Sequence, residues 1–179
     1  MEIKLSTAKP TNRDVFEKIY NENVKNVYYY ALRMLADVSA AEDATHDVFL
    51  KAYKNFDQFR NESSPRTWLY RITINHCNNL LKSKARHYNV ELNETDIEQL
   101  SGSYDSPLKV IENKDLGEII QKTLDKLPLE YKTILLLSAD ENLSYSEIAK
   151  LTSQSVDAVR GKLHRARKLF IYHFKKANL

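Results

Sequence analysis

Thr67, Arg71, Asn75, Asn78 and Lys82 follow one another at spacings of 4, 4, 3 and 4 residues. At 3.6 residues per turn, all five fall within about 80° of one helical face. A stripe that mixes cations with amides offers hydrogen bonds to both phosphates and unstacked bases. Just ahead of it, FDQFRNESSP supplies aromatics, Arg60 and small polar residues in an expected loop. Such a loop would pocket a flipped base through stacking and contacts to its Watson–Crick edge, without any chemistry of its own. A helix that merely turns a polar face to water explains the stripe nearly as well.

A second constellation lies at 144–168, SYSEIAKLTSQSVDAVRGKLHRARK. A short helix carrying Ile148, Ala149 and Leu151 inward is capped by Ser144 with Glu147, and a polar turn at Thr152 to Gln154 follows. Ser155 then caps a longer helix that buries Val156, Val159, Leu163 and Ala166. The small Ala149 lets the two helices approach closely, as a helix-turn-helix requires. The second helix of such a motif enters the major groove by its N-terminal end, which directs Gln154, Ser155, Asp157, Ala158 and Arg160 to base edges. Gln pairs well with adenine and Arg with guanine, while His164, Arg165, Arg167 and Lys168 would grip phosphates. The plainer alternative is a helical hairpin with a basic surface.

No catalytic site emerges. Glu42, Asp43 and Asp47 cluster near the start of a helix, where carboxylates suit the helix dipole and need no further role. His76 and Cys77 are adjacent and diverge on a helix; His46, His87, His164 and His173 have no metal-ligand spacing. With three scattered glycines there is no Walker loop or dinucleotide fingerprint. A single cysteine excludes an internal disulfide and every CxxC motif. Neither a metal nor an organic cofactor is expected, and the chain is not read as an enzyme.

The elements that must position these residues are helices. Pro65, Pro107 and Pro128 are each expected at a first helical position, where the missing N–H costs nothing. Ser39 with Glu42 and Ser144 with Glu147 read as capping boxes. Periodicity of 3.6 links Phe16, Tyr20, Val24, Val27, Ala31 and Leu35, and again Phe49, Ala52, Tyr53 and Phe56. The spacing predicts helices over 12–36, 40–56, 65–85, 107–126, 129–140, 145–152 and 156–175, and no segment alternates with period two. Residues 87–106 are acidic and weakly periodic and read as a linker. The chain is therefore expected to be all-α, with an N-terminal helical bundle over 1–86 and a C-terminal helical domain over 107–179.

The chain has 179 residues, of which 42% are apolar, enough for a real core. Its net charge of +3 conceals a pattern: +5 over 60–86, −6 over 87–118 and +7 over 150–179. Two basic blocks separated by an acidic stretch point to two contacts with a polyanion, nucleic acid first. The first 20 residues lack an apolar run, and a soluble cytoplasmic protein is expected. Domains this small are marginal alone, so docking on a partner would help to stabilise them.

With these residues in place, the chain from about Val15 to Phe174 resembles an extracytoplasmic-function (ECF) sigma factor of bacterial RNA polymerase. AEDATHDVFLKAYKNFDQF is similar to the core-binding segment of that family, FRNESSPRTWLYRITINHCNNLL to its promoter-melting segment, and the helix-turn-helix to its upstream promoter reader. RTWLYRI followed by Asn75, in combination with LHRAR, is the specific part. The resemblance implies that the helix around Glu42 to Phe56 docks on the polymerase clamp coiled coil, with Asp43, Asp47, Phe49, Leu50 and Tyr53 as contacts. It implies that Phe59, Arg60, Asn61, Ser63, Ser64 and Arg66, with Thr67, Arg71, Asn75 and Lys82, take the non-template strand of the −10 element. The C-terminal domain would read the −35 element as duplex, and the acidic linker would run through the polymerase cleft. An anti-sigma factor is a further expected partner.

The chain departs from that pattern at Ser153, where the turn usually carries Gly, at Gly161 inside the recognition helix, and at His46, where Gln is frequent. Two rival readings remain open on sequence alone. A stand-alone regulator with an N-terminal dimerisation or effector domain would bind duplex DNA without polymerase. A helical interaction adaptor would show little salt-dependent DNA binding, whereas about six neutralised phosphates give a log–log salt slope near −5.

Overall fold

The computed structural model describes residues 11–59, 63–88, 113–140 and 143–177. Among them the chain forms seven α-helices and no strand: α1 (Asn12–Leu35), α2 (Val38–Lys54), α3 (Pro65–Tyr88), α4 (Asn113–Leu124), α5 (Leu129–Ser138), α6 (Tyr145–Thr152) and α7 (Val156–Ala177). A 3-10 turn at Phe56–Gln58 follows α2. The expected helices are all present, with ends moved by a few residues. Residues 107–112 of the expected fourth helix lie outside the described residues, as does 89–106 of the expected linker.

Local chemistry sets the starts. Thr11 and Asp14 close a capping box on α1, which the sequence reading missed. The expected box at Ser39 and Glu42 is not the start of α2. Asp37 caps it instead, its carboxylate accepting the Ala40 N–H at 2.7 Å, so Ser39 lies inside the helix. An ionised acceptor two residues earlier makes the stronger cap. Pro65 does occupy the first position of α3, behind Ser64, whose hydroxyl accepts the Thr67 N–H at 3.1 Å. Pro128, expected inside α5, is instead its extended cap residue. The Ser144–Glu147 box on α6 forms as expected. Ala36 and Ser153 end α1 and α6 in the left-handed conformation, each at φ 55°. A non-glycine residue there costs roughly 1–2 kcal/mol, which the surrounding packing must offset.

The helices form two units, α1–α3 and α4–α7. Phe16, Ile19, Val27, Val48, Phe49 and Leu69 make a core inside the first, and Leu124, Leu127 and Leu169 a smaller one inside the second. The largest cluster belongs to both. Tyr30 and Met34 of α1 and Tyr70 and Ile74 of α3 are buried with Ile134 and Leu137 of α5 and with Ile148 of α6. Cys77 lies in the same cluster, and burial pushes its thiol up to about 12, which makes it a small apolar core residue. The partner that helps to stabilise each small unit is, in this conformation, the other one.

Candidate nucleic-acid interface

Along α2, Asp43, Asp47, Leu50 and Tyr53 are exposed; Leu50 and Tyr53 keep 43% and 56% of their surface in water. Phe49 does not share that exposure. It is buried, with its ring edge-to-face on Tyr20 at 4.7 Å, and so supports the face from beneath. His76 of α3 joins this helix: one ring nitrogen lies 2.8 Å from the Lys51 ammonium and the other 3.5 Å from the Asp47 carboxylate. Burial, and then the charge of Lys51, hold the His76 imidazole below its ordinary range, against the opposing pull of Asp47.

The α3 stripe divides. Arg71, Asn75 and Lys82 are exposed, Asn78 is half-buried and Thr67 is buried. Asn75 opens onto a cleft of about 330 Å³ between α2 and α3, lined also by Lys51, Asn55, Trp68, His76 and Asn79. An indole wall, amides and a cation in one cleft suit a base and its phosphate. The sequence reading did not include Lys51, Asn55 or Asn79, because periodicity within α3 says nothing of what α2 brings to it. At the head of α3, Phe59 packs on Trp68 with ring centroids 4.8 Å apart and stacks on Phe56 at 6.3 Å. A second groove, of about 470 Å³, lies between the start of α1 and this aromatic group. Arg60 and Asn61 lie outside the described residues, and Ser63 is half-buried.

Ser64, Arg66 and Thr67 are engaged by other groups. The Arg66 guanidinium pairs with Asp140, which follows α5, at 3.0 Å. Tyr70 donates its phenol to the other oxygen of Asp140 at 2.7 Å. Burial first, and then this bond, push that phenol above its ordinary range. The Thr67 hydroxyl donates to Glu147 of α6 at 3.2 Å, and the Ser64 hydroxyl lies 2.8 Å from it.

On the other unit, α6 and α7 make the expected helix-turn-helix. Ser155 caps α7 through the Ala158 N–H at 3.1 Å. Asp157, Arg160, His164, Arg165 and Arg167 are exposed, while Gln154, Ala158 and Lys168 are half-buried. Arg160 leans on Asp157 at 3.4 Å, and Lys162 pairs with Glu130 of α5. A Cβ built on Gly161 meets nothing nearer than the Arg165 guanidinium at 3.7 Å, so this glycine is not required by space. No group of three metal-ligating side chains occurs among the described residues, and none of their helices is long and apolar enough to cross a membrane.

Two families match the two units: sigma-70 region 2 over residues 19–87 and sigma-70 region 4 over residues 117–170. The ECF RNA polymerase sigma factor SigW of Bacillus subtilis is 28% identical over 170 residues, covering 92% of this chain and 91% of its own length. RNA polymerase sigma factor YlaC of the same organism is 30% identical over 156 residues, covering 87% of this chain and 90% of its own. The RNA polymerase sigma-H factor of Pseudomonas aeruginosa is 32% identical over 142 residues, 76% of this chain and 74% of its own. Among solved structures, the sigma factor RpoE in complex with the anti-sigma factor NepR, from Bartonella quintana, has a similar fold. Its TM-score is 0.69 at 18% identity, over 90% of this chain and 97% of that one. CnrH in complex with the cytosolic domain of CnrY gives a TM-score of 0.66 at 22% identity, over 89% of this chain and 87% of that one.

Proposed function

The chain belongs to the sigma-70 family as an ECF RNA polymerase sigma factor, and on that premise we propose that three of its surfaces divide the work of initiation. As a sigma factor it directs core RNA polymerase to promoters, binds promoter DNA and is not an enzyme; phosphodiester chemistry belongs to the polymerase. Residues 1–86 form the unit that binds core polymerase and the −10 element, and residues 107–179 the unit that reads −35. Residues 87–106 thread the polymerase cleft between them.

The outer face of α2, with Asp43, Asp47, Leu50 and Tyr53, docks on the clamp coiled coil, and Phe49 stiffens that face from below. The exposed Arg71, Asn75 and Lys82, with Phe59, Arg60, Asn61, Ser63, Ser64, Arg66 and Thr67, take the non-template −10 strand. Extruding a base costs a few kcal/mol of lost pairing and stacking. Stacking on an aromatic side chain returns about 1–3 kcal/mol per base, and the nearby cations neutralise phosphates. The start of α7 reads the −35 duplex through Gln154, Ser155, Asp157, Ala158 and Arg160, with His164, Arg165, Arg167 and Lys168 on the backbone. The factor works in the cytoplasm, where promoters are, and a partner of the anti-sigma class would compete for the α2 face.

The cleft joining Asn75 to Trp68 and Lys51 is the observation that carries this reading. The test is transcription in vitro with sigma-free core polymerase on fragmented genomic DNA, with transcript starts sequenced. Discrete starts sharing two upstream elements are expected with the wild-type protein. Asn75→Ala should lower the yield from those starts while leaving core binding intact. No added initiation from folded protein and competent core would overturn the proposal.

A further inference from the structure

Asp47 and Lys51 stand four residues apart on α2, the acid on the N-terminal side of the base. That is the favoured order and spacing for an ion pair along a helix. The chain makes pairs at the same spacing elsewhere, Lys18 with Glu22 on α1 and Glu118 with Lys122 on α4. Among the described residues, however, no ion pair joins Asp47 to Lys51. The imidazole of His76, from α3, takes both ends instead. Its Nδ1 lies 2.8 Å from the Lys51 ammonium and its Nε2 lies 3.5 Å from the Asp47 carboxylate. His76 is thus a wedge between two groups that would otherwise neutralise each other.

The ring has little freedom in this position. Its side chain keeps 12% exposure, against 52% for Asp47. An ammonium donates protons and has no lone pair, so Nδ1 is the acceptor and Nε2 carries the ring proton. The Nε2–H faces Asp47 from the outer limit of a hydrogen bond, so it orients that carboxylate without neutralising it. The charged groups that bear on the ring are Lys51 first and Asp47 second, both of α2 and neither of α1. Its neighbours in the cleft, Asn55, Asn75 and Asn79, are neutral amides. Burial and the Lys51 charge together keep the ring neutral at pH 7.

We propose that His76 is a positioning residue for polymerase docking: by diverting Lys51 from Asp47 it keeps that carboxylate charged and available on the docking face of α2, and a proton on the ring undoes this. The consequence for docking rests on the reading of α2 given above; the wedge itself does not. Once protonated, Nδ1 no longer accepts, and Lys51 is released toward Asp47. The imidazolium also draws Asp47 to itself. Both changes neutralise Asp47, which shares an exposed acidic face with Glu42 and Asp43. Such a face suits a basic partner. Docking is therefore complete above the ordinary histidine value of 6.5 and weakens as pH falls below it.

Binding of sigma-free core polymerase to the immobilised full-length chain tests this. At a pH of about 7.5, His76→Leu removes both ring nitrogens and should weaken binding about fivefold, the upper end for a partly exposed ion pair. Adding Lys51→Met to His76→Leu should restore the affinity, which it would not do if the ring served only as packing. His76→Gln supplies an acceptor and a donor in place of the ring and should bind as the wild type does. Wild-type affinity should fall by up to about fivefold between pH about 7.5 and about 5.5, relative to His76→Gln, which does not titrate. Should His76→Leu lose helix content, this pH comparison carries the test. Parallel pH profiles for wild type and His76→Gln, or no rescue of a folded His76→Leu by Lys51→Met, overturns the proposal. Proton NMR of the ring, assigned with His76→Gln, reads the wedge by itself. The titration midpoint should lie below 6.5, rise in Lys51→Met and fall further in Asp47→Asn. A midpoint that neither substitution moves overturns the wedge. An Asp47→Asn protein that binds core as tightly as the wild type would sink the docking face of α2 and this role for His76 with it, and the NMR midpoints would tell that failure from a failure of the wedge.

Discussion

Lys132 gives the coupling of the two units a number. Its side chain belongs to α5, is 6% exposed, and ends between the Met34 carbonyl at 3.1 Å and the Asp125 carboxylate at 2.7 Å. Lys132→Met keeps the apolar stem and deletes the charge. The bond to the Met34 carbonyl is charge-assisted, worth about 1.5–3 kcal/mol, and the carbonyl would be left buried beside a thioether. Asp125 is 42% exposed, so water replaces much of what it loses and its share is that of a surface pair, about 0–1 kcal/mol. The sum, less the easier burial of Met, comes to about 2 kcal/mol. With a urea m-value of about 2 kcal/mol/M, the midpoint should fall by about 1 M. The chain has one tryptophan, Trp68, in the first unit, whereas far-UV circular dichroism sees helices of both. Fluorescence and circular dichroism should give coincident transitions, and both should move together in Lys132→Met. A Trp68 transition that stays put while the dichroism midpoint moves would show that the units unfold separately, and a shift under about 0.3 M would refute the magnitude.

Two further outcomes follow from single side chains. Gly161→Ala should raise stability by about 1 kcal/mol, because the helix gains the propensity of alanine and a Cβ meets only ordinary contacts; thermal unfolding checks it, and a fall in Tm would mean a crowding that the 3.7 Å clearance does not contain. His76, held below its ordinary value of 6.5 by burial first and Lys51 second, binds a proton more readily when unfolded. Its contribution is therefore complete above about 6.5 and is lost as pH falls below that value. His173, lowered chiefly by burial, acts in the same sense. Urea midpoints should decline with pH in that window, and His76→Gln should flatten part of the decline; an unchanged slope would remove His76 from the account.

Helix existence was legible because its causes are local. Pro65, Ser144 with Glu147 and Ser155 each act within one turn, and each sits where its chemistry demands. The misplaced start of α2 was a contest between two local signals, which the charged Asp37 wins over Ser39. The site was legible only in part. The stripe on α3 is correct as geometry, yet helical spacing cannot tell which end of a face another element covers, and Thr67 proves buried while Arg71 and Asn75 are open. Phe49 shares the α2 segment with Leu50, but Tyr20 of α1 takes it into the core. The contacts that close the molecule join residues 70, 74, 80 and 98 positions apart. No local pattern carries separations of that size.

The acidic residues between the two basic blocks acquire a second meaning from this arrangement. Read locally, Glu147 is only the third residue of a capping box, and its carboxyl is held below its ordinary range chiefly by the Ser144 N–H. A carboxylate has two oxygens, however, and Glu147 uses them separately: Oε2 accepts from the Ser144 N–H at 2.9 Å, and Oε1 takes the Thr67 hydroxyl. The first bond lies within the first turn of α6 and the second joins α6 to α3, so the cap does not depend on Thr67. Asp140 lies just beyond α5, its backbone N–H donating to the Leu137 carbonyl at 3.2 Å. The cap of α6 therefore stands without α3, and the basic face of α7, with Arg160, His164 and Arg167, is exposed while the two units are packed together.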